Sequence, residues 1–262
     1  MNESMKSLLT IMLACACAAV ARADIHSEML QYEQGGTALE GYLAYDTAIH
    51  GKRPAVLIIH QWKGLTGYEK KRADMLAKLG YTAFALDIYG KDARPKNTQE
   101  AGAVAGRYKQ DRALLRARAE AGLAVLQKQA QTDPKRIAAI GYCFGGTAVI
   151  ELARSGADIA GVVSFHGGLD SPRPADGKNI KCKVLALHGA DDPHVPAQDV
   201  AAFEDEMRQA RVDWQLVKYG GAVHSFTDWS AGDNVRAGAA YNEKADHRSW
   251  EDMKQFFAEI FK

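Results

Sequence analysis

Short, continuously apolar runs recur along the second to fifth fifths of this chain, and helical patterns separate them. The runs are AVLIIH (55–60), TAFALD (82–87), RIAAIGY (136–142), GVVSFHG (161–167), KVLALHG (183–189) and DWQLVKY (213–219). A strand that is apolar at nearly every position has both faces covered, and parallel sheets flanked by helices are where such strands occur. LEGYLAYD (39–46) alternates instead and suits an earlier edge strand. Between the runs, Tyr68 opens a helical stretch that stops at Gly80. Val200, Phe203, Met207 and Ala210 recur at helical steps after Pro196, and Trp250, Met253, Phe257, Ile260 and Phe261 line one face of a last helix. The stretch 98–131 reads as two helices with a break near Tyr108 to Asp111. The expectation is one α/β domain over 24–262, a doubly wound, mostly parallel sheet.

The first 23 residues are of another kind. Lys6 is followed by the apolar SLLTIMLACACAAV and then by ARA, a small-residue cleavage site ending at Ala23. That layout is a secretory signal peptide, too short for a membrane span. The mature chain, 24–262, is expected in the periplasm or outside the cell, free of the membrane and monomeric. Removing the signal takes away Lys6 and Arg22 against Glu3, so the net charge falls from +1 to zero. A balanced surface argues against nucleic acid or anionic membrane as partner.

Only Cys143 and Cys182 remain after cleavage. Export permits a disulfide, but Cys182 opens one strand run while Cys143 closes another. In a parallel sheet those are opposite ends, further apart than the ~7 Å between Cα atoms that a bridge tolerates. Cys182 is therefore expected to be a buried thiol and Cys143 unpaired.

Cys143 stands in Gly141-Tyr142-Cys143-Phe144-Gly145, directly after an apolar run and before a helix. This is the G-x-S-x-G nucleophile-elbow frame with a thiol in place of the hydroxyl. A thiol nucleophile needs a base, and the base needs a group to fix its tautomer. Asp191 and Asp192 follow a later strand, and His224 follows the last one, giving the order nucleophile, acid, histidine. His166 ends another run and is a pocket candidate. His188, Asp191, Asp192 and His194 straddle a strand end and a turn, so their directions diverge and no metal site is expected. There is no nucleotide-binding glycine motif.

HQWKGL, GYCFGG, LHGADDPHVP and YGGAVHSF, in this order and spacing, resemble the dienelactone hydrolase family. The resemblance spans nearly the whole mature chain. It implies an α/β-hydrolase fold and hydrolysis of small esters or lactones, with neither metal nor organic cofactor. It also implies Cys143 as nucleophile, Asp192 as acid, His224 as base, and the backbone N–H groups of Trp62 and Phe144 as oxyanion hole. The G-x-x-D spacing from Gly189 likewise selects Asp192 over Asp191. Two positions depart from the family: Gln61 stands where a glutamate is usual, and Asp228 where an arginine holds the substrate carboxylate. Gln61 can neither take the thiol proton nor repel a thiolate, so Cys143 is expected to depend on His224 and the helix dipole. Asp228 in the pocket would favour neutral esters. The rival function is a non-catalytic small-ligand binding protein on a degenerate hydrolase scaffold, a reading that Gln61 supports.

Overall fold

The computed structural model describes residues 23–262, so the expected signal peptide lies, but for Ala23, outside the described residues. The chain enters through a hairpin, β1 (Ile25–Gln34) and β2 (Thr37–Asp46). Gly35 and Gly36, with φ of 54° and 73°, supply the left-handed backbone that its two-residue turn requires. Then follow β3 (Arg53–Ile59), α1 (Gly67–Lys78), β4 (Thr82–Leu86), α2 (Thr98–Gln110), α3 (Arg112–Gln127) and β5 (Thr132–Tyr142). The second half comprises α4 (Phe144–Arg154), β6 (Gly161–Phe165), β7 (Lys183–Gly189), α5 (Ala197–Ala210), β8 (Trp214–Tyr219) and α6 (Glu243–Ile260).

The eight strands form one sheet in the order β1-β2-β4-β3-β5-β6-β7-β8. β1, β2 and β4 pair antiparallel, and every pairing from β4 to β8 is parallel. The alternating strand at 39–46 is therefore not the edge. It is covered by β1, a strand that sequence periodicity missed because most of its residues are exposed. Alternation marks a strand with one face partly open, not one without a neighbour.

The apolar runs are explained by two cores. Leu57 and Ile59 of β3 face a cluster shared with α3, α4 and α5, while Val56 and Ile58 face the cluster beneath α1 and α6. Met253 and Phe257 of α6 are fully buried in the second. The break in 98–131 falls at Asp111, whose carboxylate accepts the Leu114 N–H and caps α3.

Winding sets the location of the site. From β3 the chain adds β4 on one side, then crosses to place β5 on the other. The crevice between the carboxyl ends of β3 and β5 is thus the switch point where open α/β sheets bind ligands. Gln61 and Trp62 leave one of these ends, and Cys143 leaves the other.

Candidate active site

Cys143 is the only residue between β5 and α4. Its backbone sits at φ 55° and ψ −115°, a conformation that costs a non-glycine residue about 1–3 kcal/mol. The flanking glycines make so sharp a turn possible. A Cβ on Gly141 would lie 2.0 Å from the Gly145 carbonyl oxygen, and one on Gly145 would lie 2.1 Å from that of Ile59. Neither position has room for any side chain. The turn lifts a half-buried thiol to the N-terminus of α4.

His224 Nε2 lies 3.0 Å from Cys143 Sγ, and its Nδ1 lies 2.8 Å from Asp192 Oδ2. The second carboxylate oxygen of Asp192 accepts the His194 N–H at 2.8 Å. Asp191 turns away and accepts the Gly221 N–H at 3.0 Å, which ties down the turn leading to His224. His224 is itself held at both backbone groups: its N–H donates to Gly238 and its carbonyl accepts from Ala240, at 3.2 and 3.0 Å.

The electrostatics follow from this contact. Burial opposes ionisation of the Cys143 thiol, but the charge and hydrogen bond of His224 outweigh it and hold the thiol below its ordinary range. Lys109 and the Phe144 N–H act in the same direction. Burial likewise opposes protonation of His224, yet the facing thiolate and the Asp192 carboxylate raise it to about 10. Asp192, though buried, is kept below the usual carboxylate range by His224 and the His194 N–H. The contact thus favours charge separation, a thiolate facing an imidazolium, over the neutral pair.

The loop after β3 is fastened at nearly every polar group. The Gln61 N–H donates to Glu69 at 3.0 Å, and its carbonyl accepts from His60 Nδ1 at 2.6 Å and the Gly64 N–H at 3.1 Å. The Trp62 carbonyl accepts from the Tyr89 hydroxyl at 3.0 Å. The N–H groups of Trp62 and Phe144 have no oxygen or nitrogen acceptor among the described residues, and both residues line the cavity over Cys143. The Cys143 N–H, in contrast, is already used by the Phe165 carbonyl and His166 Nδ1, at 3.0 and 3.1 Å.

That cavity measures about 470 Å³, and Cys143, His224, Trp62, Phe144, His194 and Lys109 are among its lining. Gln61, His166 and Asp228 are not. Gln61 Nε2 donates to Asp228 Oδ2 at 3.1 Å, and the other oxygen of Asp228 accepts from the Ser230 N–H and hydroxyl at 2.8 and 2.7 Å. Both oxygens of this carboxylate are engaged by neutral donors and the residue is not part of the cavity lining, so acidic substrates do not meet it directly. His166 is wholly buried beneath the elbow. Lys109 escaped sequence reading because it is one of several cations on α2 and α3, with no local signal to single it out. It has no ion-pair partner among the described residues. Cys143 and Cys182 are both free thiols.

A family model, the dienelactone hydrolase family, matches residues 39–261. The chain belongs to the dienelactone hydrolase family. Membership makes it a hydrolase acting on esters. A Synechocystis protein provisionally named carboxymethylenebutenolidase is 27% identical, with 89% of this chain and 97% of that protein covered. The solved structure of m3DLH is 40% identical, with a TM-score of 0.87 over 91% of this chain and 99% of that one. A second, titled a dienelactone hydrolase-like promiscuous phosphotriesterase from metagenomic libraries, is 40% identical, with a TM-score of 0.86 over 92% and 100%. The acylaminoacyl peptidase of Pyrococcus horikoshii, 14% identical with a TM-score of 0.69 over 92% of this chain and 42% of its own, shares the fold.

Proposed function

We propose that this protein hydrolyses small carboxylic esters or lactones through an acyl-thioester on Cys143, with His224 as acid and base and Asp192 as its orienting carboxylate. The observation that carries the reading is the pair of contacts at one imidazole, 3.0 Å to sulfur and 2.8 Å to carboxylate. The thiolate sulfur attacks the carbonyl carbon, and the N–H groups of Trp62 and Phe144 receive the oxygen as it becomes anionic. When the carbonyl re-forms, the bond to the leaving oxygen breaks and the His224 proton goes to that oxygen. Acylation also removes the sulfur's charge, the largest influence raising His224. Burial then favours the neutral imidazole, so the acid of the first step becomes the base of the second. It takes a proton from water, the resulting hydroxide attacks the thioester carbon, and the C–S bond breaks to restore the ion pair.

The same reading takes the protein to be exported to the periplasm or beyond, supported by the leader at 1–23. Incubation with a slowly deacylated aryl ester, followed by peptide mass mapping, tests the chemistry. An acyl group on the Cys143 peptide, absent from Cys143→Ala, is the expected result. Turnover that survives Cys143→Ala overturns it. Binding without turnover by the intact protein would favour the degenerate-scaffold reading.

A further inference from the structure

His166 touches no part of the cavity, yet it joins the two halves of the candidate site. Its Nδ1 lies 3.1 Å from the Cys143 backbone nitrogen, so Nδ1 is the acceptor there. The single proton of a neutral ring must then reside on Nε2, which donates to Thr227 Oγ1 at 2.8 Å. Thr227 lies three residues beyond His224 and is wholly buried, as is His166. The ring is also kept uncharged: burial, with the nearby imidazolium of His224, pushes His166 well below its ordinary range. The two imidazoles meet edge to face, with centroids 5.4 Å apart.

The far side of this link is anchored deeply. The Thr227 hydroxyl meets the Tyr68 hydroxyl at 2.7 Å, and the Thr227 carbonyl accepts from Arg72 Nη2 at 3.1 Å. Arg72 in turn pairs with Asp246 at 2.5 Å, both almost fully buried. α1 and α6 therefore hold the loop that carries His224, and His166 fixes the nucleophile's backbone to that loop.

His166 takes a positive φ of 41°, which a non-glycine residue adopts only at a cost. A buried, strained and polar residue at a strand end calls for a reason, since an apolar side chain would fill the space without needing partners.

We propose that His166 is a positioning residue, a neutral crossbar in its Nε2–H tautomer that sets the distance between Cys143 Sγ and His224 Nε2. This deepens the thiol-nucleophile reading and rests on it. Two amides each copy half of the ring. His166→Asn keeps an acceptor at the position of Nδ1 but loses Thr227, and His166→Gln keeps a donor at the position of Nε2 but leaves the Cys143 N–H to the Phe165 carbonyl alone. If both halves are needed, each variant loses kcat by about 10- to 100-fold, the range that misplacement of a reacting group by about 1 Å produces. KM stays within about threefold, because no residue of the cavity lining has changed.

The readout that a merely structural role would not move is the thiol itself. The pH at which iodoacetamide reactivity is half-maximal rises in both variants, as Sγ and Nε2 drift apart. Thr227→Val, nearly isosteric, repeats the effect without touching the ring and decides the matter if either His166 variant fails to fold. Unchanged kcat and an unchanged alkylation midpoint overturn the crossbar. So does a loss that merely tracks the folded fraction. Cys143→Ala run in parallel separates the two ideas. An active Cys143→Ala enzyme sinks the nucleophile reading, whereas an inactive one beside fully active crossbar variants sinks only the role of His166.

Discussion

Gln61 donates from Nε2 to the Asp228 carboxylate across 3.1 Å, so the two departures from the family pattern are partners in one hydrogen bond. Where the family has an acid and a base, this chain has an amide and an acid. Here the amide and the acid satisfy each other. The amide therefore stands in a structural bond and gives no support to loss of catalysis.

Gln61→Glu should destabilise the protein near neutral pH, because two carboxylates would then face each other at ~3 Å. They repel each other only when both are ionised. The penalty is therefore absent at pH below the usual carboxylate range and grows as pH rises through it. Thermal melts of both forms from pH 4 to 8 test this, with the double variant Gln61→Glu/Asp228→Arg expected to recover most of the loss. A melting temperature unchanged at pH 7 would dissolve the pair as a functional unit.

Alkylation should label Cys143 long before Cys182. His224 lowers the first thiol, while burial pushes the second up to about 12. The pH at which the Cys143 rate is half-maximal should lie below that of an ordinary thiol. Ester turnover should fall again as His224 loses its proton near pH 10, since the leaving group then lacks an acid. Peptide mapping of briefly labelled protein and a pH–rate profile check both. Labelling that begins at Cys182 would contradict the site.

Asp192→Asn should preserve the fold but reduce kcat by about 10³-fold or more, because a neutral amide neither balances the imidazolium nor fixes its tautomer. Asp191→Asn should cost severalfold at most, since its carboxylate holds only the exposed Gly221 N–H. Circular dichroism beside steady-state kinetics ranks the two, and a reversed order would move the acid to Asp191.

Lys109 is the cavity's unpaired cation, so esters bearing a carboxylate should be better substrates than sequence alone predicts. A unit charge ~4 Å away contributes about 1 kcal/mol in water and more where solvent is thinned, or at least about fivefold in kcat/KM. Lys109→Met should erase that preference for the acidic member of a matched ester pair, and Asp228→Arg should change it little. The reverse ranking would return Asp228 to substrate recognition.

Much of this protein was legible in its sequence, because the signals are local. Buried parallel strands are written as unbroken apolar runs, and an elbow as two glycines that cannot carry a Cβ beside a thiol that need not be cysteine for packing. The chain order of Cys143, Asp192 and His224 is likewise a property of the string. Folding decided which side chains meet. Gln61 and Asp228 are 167 residues apart, and His166 is 61 residues from Thr227. No periodicity records either contact, nor the return of Lys109 on α2 to the mouth of the cavity. Even β1 went unread, since an edge strand with little buried surface has little apolar pattern to show. Backbone pattern is set by burial, which composition records. Hydrogen-bond partnership is set by where distant loops converge at the ends of β3, β5 and β6, and only the folded sheet brings them there.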